Sequence, residues 1–307
     1  MAASSPLMDT RDDWDNNERL TEYLATQLMR GQLALLMGAG VSTNFGLPLW
    51  DELILRLYGS KRKTPPLKTP ELQARDFRTT YFPHDTSGFV DALRKVLYKG
   101  VAVDFDSLRK NGTLAAIGSL VMASQRGSAS KVITFNWDDL LELFLEYHGF
   151  VTSSIGQEIH WVSSVDVAVL HPHGLIPFDP RATATDPEKI VFDQRSFSAI
   201  AGNDALPWRQ HVLSIMRTHT CLFIGLSGYD QNLDSLLLKC KQEHAIREDG
   251  NNTAYWGVTF VEKIDKGDSN AWNEVGVYYK KVSSYSVGLP SFLLGVCQAA
   301  VRLRRGF

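Results

Sequence analysis

The sequence predicts an α/β fold: a doubly wound, Rossmann-like parallel sheet with a mostly helical insertion. Three observations carry that expectation. Short apolar runs such as Leu33–Met37, Val167–Leu170 and Thr220–Ile224 alternate with segments of helical period, the pattern of βαβ units. These runs are apolar at successive positions rather than every second one, as in strands covered on both faces. The four most distinctive short sequences, GAGVS, FNWDD, HPHG and GLSGYD, each begin where such a run ends. In doubly wound sheets that edge is where ligands bind.

Taken in order, residues 1–15 read as a polar tail and residues 16–307 as the folded unit. Asn16 or Asn17 can cap a helix with Leu20, Tyr23, Leu24 and Leu28 at helical spacing, and Gly31 would end it. Leu33–Met37 is the first strand, followed by GAGVS and a helix from Trp50 to Tyr58. Residues 59–80 are charged and proline-bearing and read as an exposed loop. Helices follow at about 88–98 and 104–126, so that about 60–130 forms the insertion. Strands are expected at 131–135, 167–170, 220–224, 254–260 and 275–280, with a short one at 190–192. Helices are expected after Asp139, from Pro207 to Met216, from Leu233 to His244 and from Leu289 to Val301.

Composition removes several classes. Of 307 residues, 44% are apolar and 21% charged, which is ordinary globular usage. A net charge of -2 argues against direct nucleic-acid binding. No apolar run approaches the roughly 18 residues of a membrane span, and the acidic N-terminus lacks a signal-peptide core. Cys221, Cys240 and Cys297 are far apart and odd in number, which fits a cytoplasmic protein with neither disulfides nor a metal site.

Among the motifs, GAGVS follows a strand and precedes a helix, where glycines let backbone amides approach a pyrophosphate. Gly38 and Gly40 fit G-x-G-x-x-G, but Thr43 stands at the third glycine, and a tight strand-to-helix turn explains the same residues. Asn136 and Asp138 both suit helix capping; a carboxamide at Asn136 could also hold a water and a ribose hydroxyl. His173 suits a surface loop or acid–base work near neutral pH. His171 reads as structural and, in an extended segment, would point to the same side as His173. GLSGYD offers Gly225, Ser227 and Asp230 for a turn or a nucleotide contact, and it is not a G-x-S-x-G nucleophile elbow.

In this order, GAGVSTNFGLPLW, FNWDD, HPHG and FIGLSGYD resemble the sirtuin superfamily over about residues 33–240. Gly46-Leu47-Pro48 matches its G-[IL]-P, Asn136-Trp137-Asp138 its N-x-D, and His173-Gly174 its histidine before glycine. The chain departs from deacylating sirtuins in lacking the paired C-x-x-C of their zinc module, so no zinc is expected. It looks like the sirtuin-like branch of prokaryotic antiviral systems, whose members hydrolyse NAD. The resemblance implies a regulated, NAD-depleting antiphage effector with NAD as substrate and nicotinamide and ADP-ribose as products. It implies Asn136 and His173 as catalytic residues, with Gly38, Ala39, Gly40 and Ser42 at the phosphates. Asp138 would fix the nicotinamide carboxamide or the loop, and Gly225, Ser227 and Asp230 belong to the nucleotide site, the last two on the adenosine side. It further implies a homo-oligomer with a partner such as a HerA-like translocase ATPase or an Argonaute-type protein. Two other classes stay open: a protein deacylase or ADP-ribosyltransferase, and a catalytically silent NAD or ADP-ribose-binding assembly subunit.

Overall fold

The computed structural model describes residues 8–66, 68–159, 164–183, 185–226, 231–243, 255–263 and 266–305. Among these, seven strands form one all-parallel sheet: β1 Leu33–Met37, β2 Lys131–Thr134, β3 Thr152–Ile155, β4 Val167–Leu170, β5 Thr220–Ile224, β6 Gly257–Val261 and β7 Val277–Lys281. The order is β3-β4-β2-β1-β5-β6-β7. From β1 the chain builds outward through β2 to β4 and β3, then returns to build β5, β6 and β7 on the other side. The winding therefore reverses between β1 and β5, and the crevice at their C-terminal ends is the topological switch point.

Both faces of the sheet are covered, which explains the uninterrupted apolar strands. Along β1 every residue is buried. Leu33, Leu35 and Met37 join one core layer, and Ala34 and Leu36 join the other, as the two-residue period of a strand requires. The first layer is packed by α1 (Arg11–Asp15), α2 (Asn17–Met29) and a helical group. That group comprises α3 (Gly40–Thr43), α4 (Trp50–Ser60), α5 (Pro70–Tyr81), α6 (Thr86–Leu97), α7 (Phe105–Lys110), α8 (Gly112–Val121) and α9 (Leu140–Tyr147). The second layer is packed by α10 (Gln194–Ala201), α11 (Pro207–Thr218), α12 (Gln231–Glu243) and α13 (Lys266–Glu274). The last helix, α14 (Gly288–Arg305), returns to the first layer.

Asn16 caps α2 as expected, accepting from the amides of Glu18 and Arg19. The end of the stretch read as a polar tail is instead packed: α1 is helical, and Trp14 is buried against Tyr23, Tyr255 and Tyr278. The charged segment read as a loop contains α5, which Pro70 starts and which buries Ala74 and Phe77 one turn apart. The single helix expected over 104–126 is two, because Asn111 ends α7 and caps α8 through its side chain. Residues 190–192 are buried but form no strand; Val191 makes one backbone bond, to the His173 carbonyl at 3.0 Å. The polar β3 has no apolar signal because it lies half-buried at the sheet edge.

Candidate functional site

The switch-point crevice is built from glycines. The Gly38 amide donates to the Ile224 carbonyl at 2.9 Å and the Gly40 amide to the Gly225 carbonyl at 3.0 Å. A Cβ on Gly38 would stand 2.6 Å from Gly225 O, and one on Gly40 2.7 Å from Gly225 Cα. Gly225, at φ +69°, would put a Cβ 2.5 Å from Val41 N. These glycines let the β1 and β5 ends touch, and the amides of Gly38 and Gly40 bond protein carbonyls. Ala39, between them, is exposed at the mouth. Tyr285 braces the far side: its hydroxyl accepts from the Gly225 amide at 3.3 Å and donates to the Phe260 carbonyl at 2.5 Å.

Asn136 follows β2 and turns its carboxamide toward this crevice. Its Nδ2 donates to Gly38 O and to Ser42 Oγ, both at 3.1 Å. Both amide hydrogens are thereby engaged, so the chemistry left to the side chain is acceptance through Oδ1. The Ser42 hydroxyl in turn donates a hydrogen bond to Asp138 Oδ2 at 2.8 Å. Asp138 is buried and also accepts from the Leu140 amide at 3.4 Å, so it holds its own loop. Burial is the main cause that pushes its carboxyl up to about 6, against the Ser42 bond, which lowers it. Asn136 also lines a cavity of about 20 Å³, whose wall is partly polar (Ser42, Thr134, Asp138, Glu142) and partly apolar (among them Met37, Phe45 and Leu114). That is room for a single water-sized group.

The two histidines of HPHG part company. The segment is a turn, closed by a bond from the Gly174 amide to the His171 carbonyl at 3.0 Å, and not the extended strand that would aim both rings one way. His171 is fully buried between Asn136 O and Glu142. His173 is 4% exposed, edge-on to Phe135 and Phe197, with Nε2 3.1 Å from Asn232 Nδ2. Its carbonyl accepts from Trp137 Nε1 at 3.1 Å, which ties the histidine turn to the Asn136 turn. Asp139 fixes the following segment, accepting from the Phe178 amide at 3.0 Å and from the Tyr98 hydroxyl at 3.3 Å.

Gly38, Gly40, Ser42, Asn136, Asp138 and Gly225 are thus brought into one bonded group, and His173 is joined to it through Trp137. Ser227 and Asp230 lie outside the described residues. Sequence reasoning missed Asn232, Glu142, Asp139 and Tyr285. Asn232 carries no local signal, since it sits one position into a helix and meets His173 only through the fold. Phe197 lies on α10, in a stretch between 192 and Pro207 to which the sequence reading assigns no element, although Asp193 and Ser196 form a capping box there. All three cysteines are buried thiols. Among the described residues no group of three or more His, Cys, Asp or Glu is placed to hold a metal ion, and no helix is long and apolar enough to cross a membrane.

Comparison with known proteins places a family likeness on this half of the molecule. A solved structure described as the crystal structure of a Sir2 homolog–NAD complex is similar at a TM-score of 0.44 and 15% identity, covering 92% of this chain and 94% of that one. No curated protein matches the chain. Residues 130–279 match the family model of the SIR2-like domain. From β2 into β7 the chain therefore resembles a SIR2-like domain, and that span holds Asn136, Asp138, His173 and Gly225.

Proposed function

We propose that the chain binds NAD at the β1/β5 crevice and hydrolyses its nicotinamide–ribose bond, releasing nicotinamide, ADP-ribose and a proton. The observation that carries this reading is the fixed carboxamide of Asn136. Both its hydrogens are held within the protein, at the end of the strand beside the switch point, and its oxygen is the group left to orient a ribose hydroxyl or a water.

The chemistry asks little of an acid. Nicotinamide leaves as a neutral ring from a cationic nitrogen, so the site must hold the sugar as it becomes oxocarbenium-like and place the nucleophile. In this reading Asn136 orients the nicotinamide-side ribose and the attacking water. His173 takes the proton released from water or from a ribose hydroxyl. Ala39 lies at the mouth with the phosphates, while Gly38, Gly40 and Gly225 keep the two strand ends close enough to form the crevice. Ser42 and Asp138 hold Asn136 in place, and Ser227 and Asp230 serve the adenosine side.

The near-complete burial of His173 between Phe135 and Phe197 supports a resting state of low turnover. An activating partner or self-assembly would open it, and can do so only by binding the open state more tightly than the resting one. Regulation of that kind suits an NAD-depleting effector of antiphage defence acting as a homo-oligomer with a partner ATPase or Argonaute-type protein.

The test is mass spectrometry of NAD incubated with the purified chain, alone and with its genomic neighbour. Nicotinamide and ADP-ribose should appear together, without zinc addition. Asn136→Ala and His173→Ala should each lower release by on the order of 100-fold. Wild-type turnover in either variant under activating conditions would remove that residue from the site. Transfer of ADP-ribose to protein, or loss of an acyl group, would replace hydrolysis with the transferase or deacylase reaction. Binding of NAD without cleavage would mark an assembly subunit.

A further inference from the structure

Asn136 is held from two sides. Its carboxamide is fixed by Gly38 and Ser42, and its backbone carbonyl accepts from His171 Nδ1 at 3.1 Å. The other ring nitrogen of His171 lies 2.7 Å from Glu142 Oε1 on the first turn of α9, and the two side chains are 0% and 4% exposed. Ser154 Oγ, from edge strand β3, donates to the same Glu142 oxygen at 2.7 Å. A bonded chain thus runs from β3 through Glu142 and the turn after β4 to the peptide of Asn136 after β2.

Both nitrogens of His171 meet oxygens, one a carbonyl and the other a carboxylate. That pairing suits a ring carrying both protons opposite an ionised Glu142. A buried ion pair is poor stabilisation, since well-packed apolar residues of similar volume commonly do as well or better. Its presence behind Asn136 therefore calls for another role.

We infer that His171 and Glu142 are positioning residues that set Asn136 through charge: the doubly protonated ring fixes the Asn136 peptide, and through it the direction of Oδ1. The inference rests on the reading of Asn136 as the residue that orients ribose and water.

The groups facing His171 are Glu142 on α9 and Asp138 in the turn before it, while Asp139 in turn faces Glu142. Burial works against the charged ring. The Glu142 charge and hydrogen bond, the Asn136 carbonyl and Asp138 together outweigh it, so the pKa lies above the ordinary histidine value. A histidine raised in this way contributes fully below its unfolded pKa, and the contribution is lost as pH rises through the folded one. The device therefore acts on the alkaline side of the pH profile.

Glu142→Gln is the informative variant, because its amide oxygen can still accept from His171 and Ser154 at the same size while the charge is removed. In the full chain under activating conditions, the alkaline limb of nicotinamide release should move toward neutral pH by about 1 unit or more. At about pH 8 the loss should fall on kcat, with KM for NAD within about two-fold, as for an interaction realised in the transition state. By NMR, the Asn136 side-chain amide should follow the His171 ring titration, and both should move together in Glu142→Gln. His171→Gln should abolish the limb and the co-titration. An unshifted profile in a folded Glu142→Gln, or an Asn136 amide indifferent to the His171 titration, would overturn the inference. If the wild type releases no nicotinamide at any pH, the hydrolase reading falls on its own. The NMR arm then decides the positioning pair: co-titration that moves in Glu142→Gln upholds it, and its absence overturns it.

Discussion

The β1/β5 side of the crevice and the β2/β4 side solve the same problem by opposite means. At β1/β5 the chain approaches itself by omitting side chains: Gly38, Gly40 and Gly225 let two backbones touch. At β2/β4 it fills the space with bonded polar groups: Asn136 with Gly38 and Ser42, Asp138 with Ser42, His171 with Glu142 and the Asn136 carbonyl, and His173 with Asn232, all but Asn136 under near-complete burial. The first side is steric, so its tolerance is independent of pH. The second is electrostatic, and its energy depends on which carboxyl or ring holds a proton. Gly225→Ala on the steric side, and Ser42→Ala and Asp139→Asn on the electrostatic side, can break that division.

The largest effect should come from Gly225→Ala. The residue must leave φ +69° or place a Cβ 2.5 Å from Val41 N, with Gly40 backbone atoms within 3 Å as well. Left-handed strain and backbone overlap together should cost about 3 kcal/mol, equally at about pH 5 and pH 8. Gly31→Ala is the control, because Gly31 is also left-handed, at φ +66°, but its Cβ would meet nothing within 4 Å. It should cost only about 1 kcal/mol. Equal losses in urea unfolding would mean that the β1 and β5 ends can part cheaply, and that the crevice is not closed by contact.

Ser42→Ala comes next and should depend on pH where the glycine variants do not. It removes the hydroxyl that donates to Asp138 and accepts from Asn136. Above about pH 6 the Asp138 carboxylate would lose a donor inside the protein, at a cost of about 1–3 kcal/mol. At lower pH the acid is protonated and the cost shrinks, since Ser42 is among the groups that hold its pKa down. A loss that is flat with pH would show that Ser42 matters only by shape.

The same division explains what was legible in the sequence. The strands at β1, β4 and β5 and the glycine turn could be read locally, because apolar runs and glycine spacing are properties of neighbours in the chain. The polar side could be read only in part. Asn136, Asp138 and His173 stand in recognisable strings, but Glu142 is one more polar residue on an amphipathic helix, and it becomes the partner of His171 only when α9 packs against β3, the neighbour of β4. Asn232 meets His173 across 59 residues of chain. His171 is structural, as its sequence context suggests; it does not share the direction of His173, as it would in an extended segment, because the bond from Gly174 N to His171 O turns the chain. In the helical insertion, α5 was masked by charge and proline, although Ala74 and Phe77 bury its inner face.

The smallest effect tests the electrostatic side where it meets the insertion. Asp139 joins Tyr98, at the end of α6, to the segment following His173, and Tyr98 also donates to the Ile176 carbonyl at 2.8 Å. Burial first, then the nearby Glu142 and Asp138, push the Asp139 carboxyl up to about 7. With the folded pKa above the unfolded value, the native state binds the extra proton between about pH 4 and pH 7. Stability therefore falls as pH rises through that window and levels off above it. Asp139→Asn keeps a carbonyl oxygen for the Phe178 amide and the Tyr98 hydroxyl but never ionises. It should be more stable than wild type by about 1 kcal/mol at pH 8, and the gain should fade toward pH 5. Urea midpoints at the two pH values measure both. If the variant is instead weaker at pH 8, the ionised carboxylate is supported by its two donors and the N-terminus of α9 by more than burial costs it. The polar side would then be held together by its charges rather than strained by them.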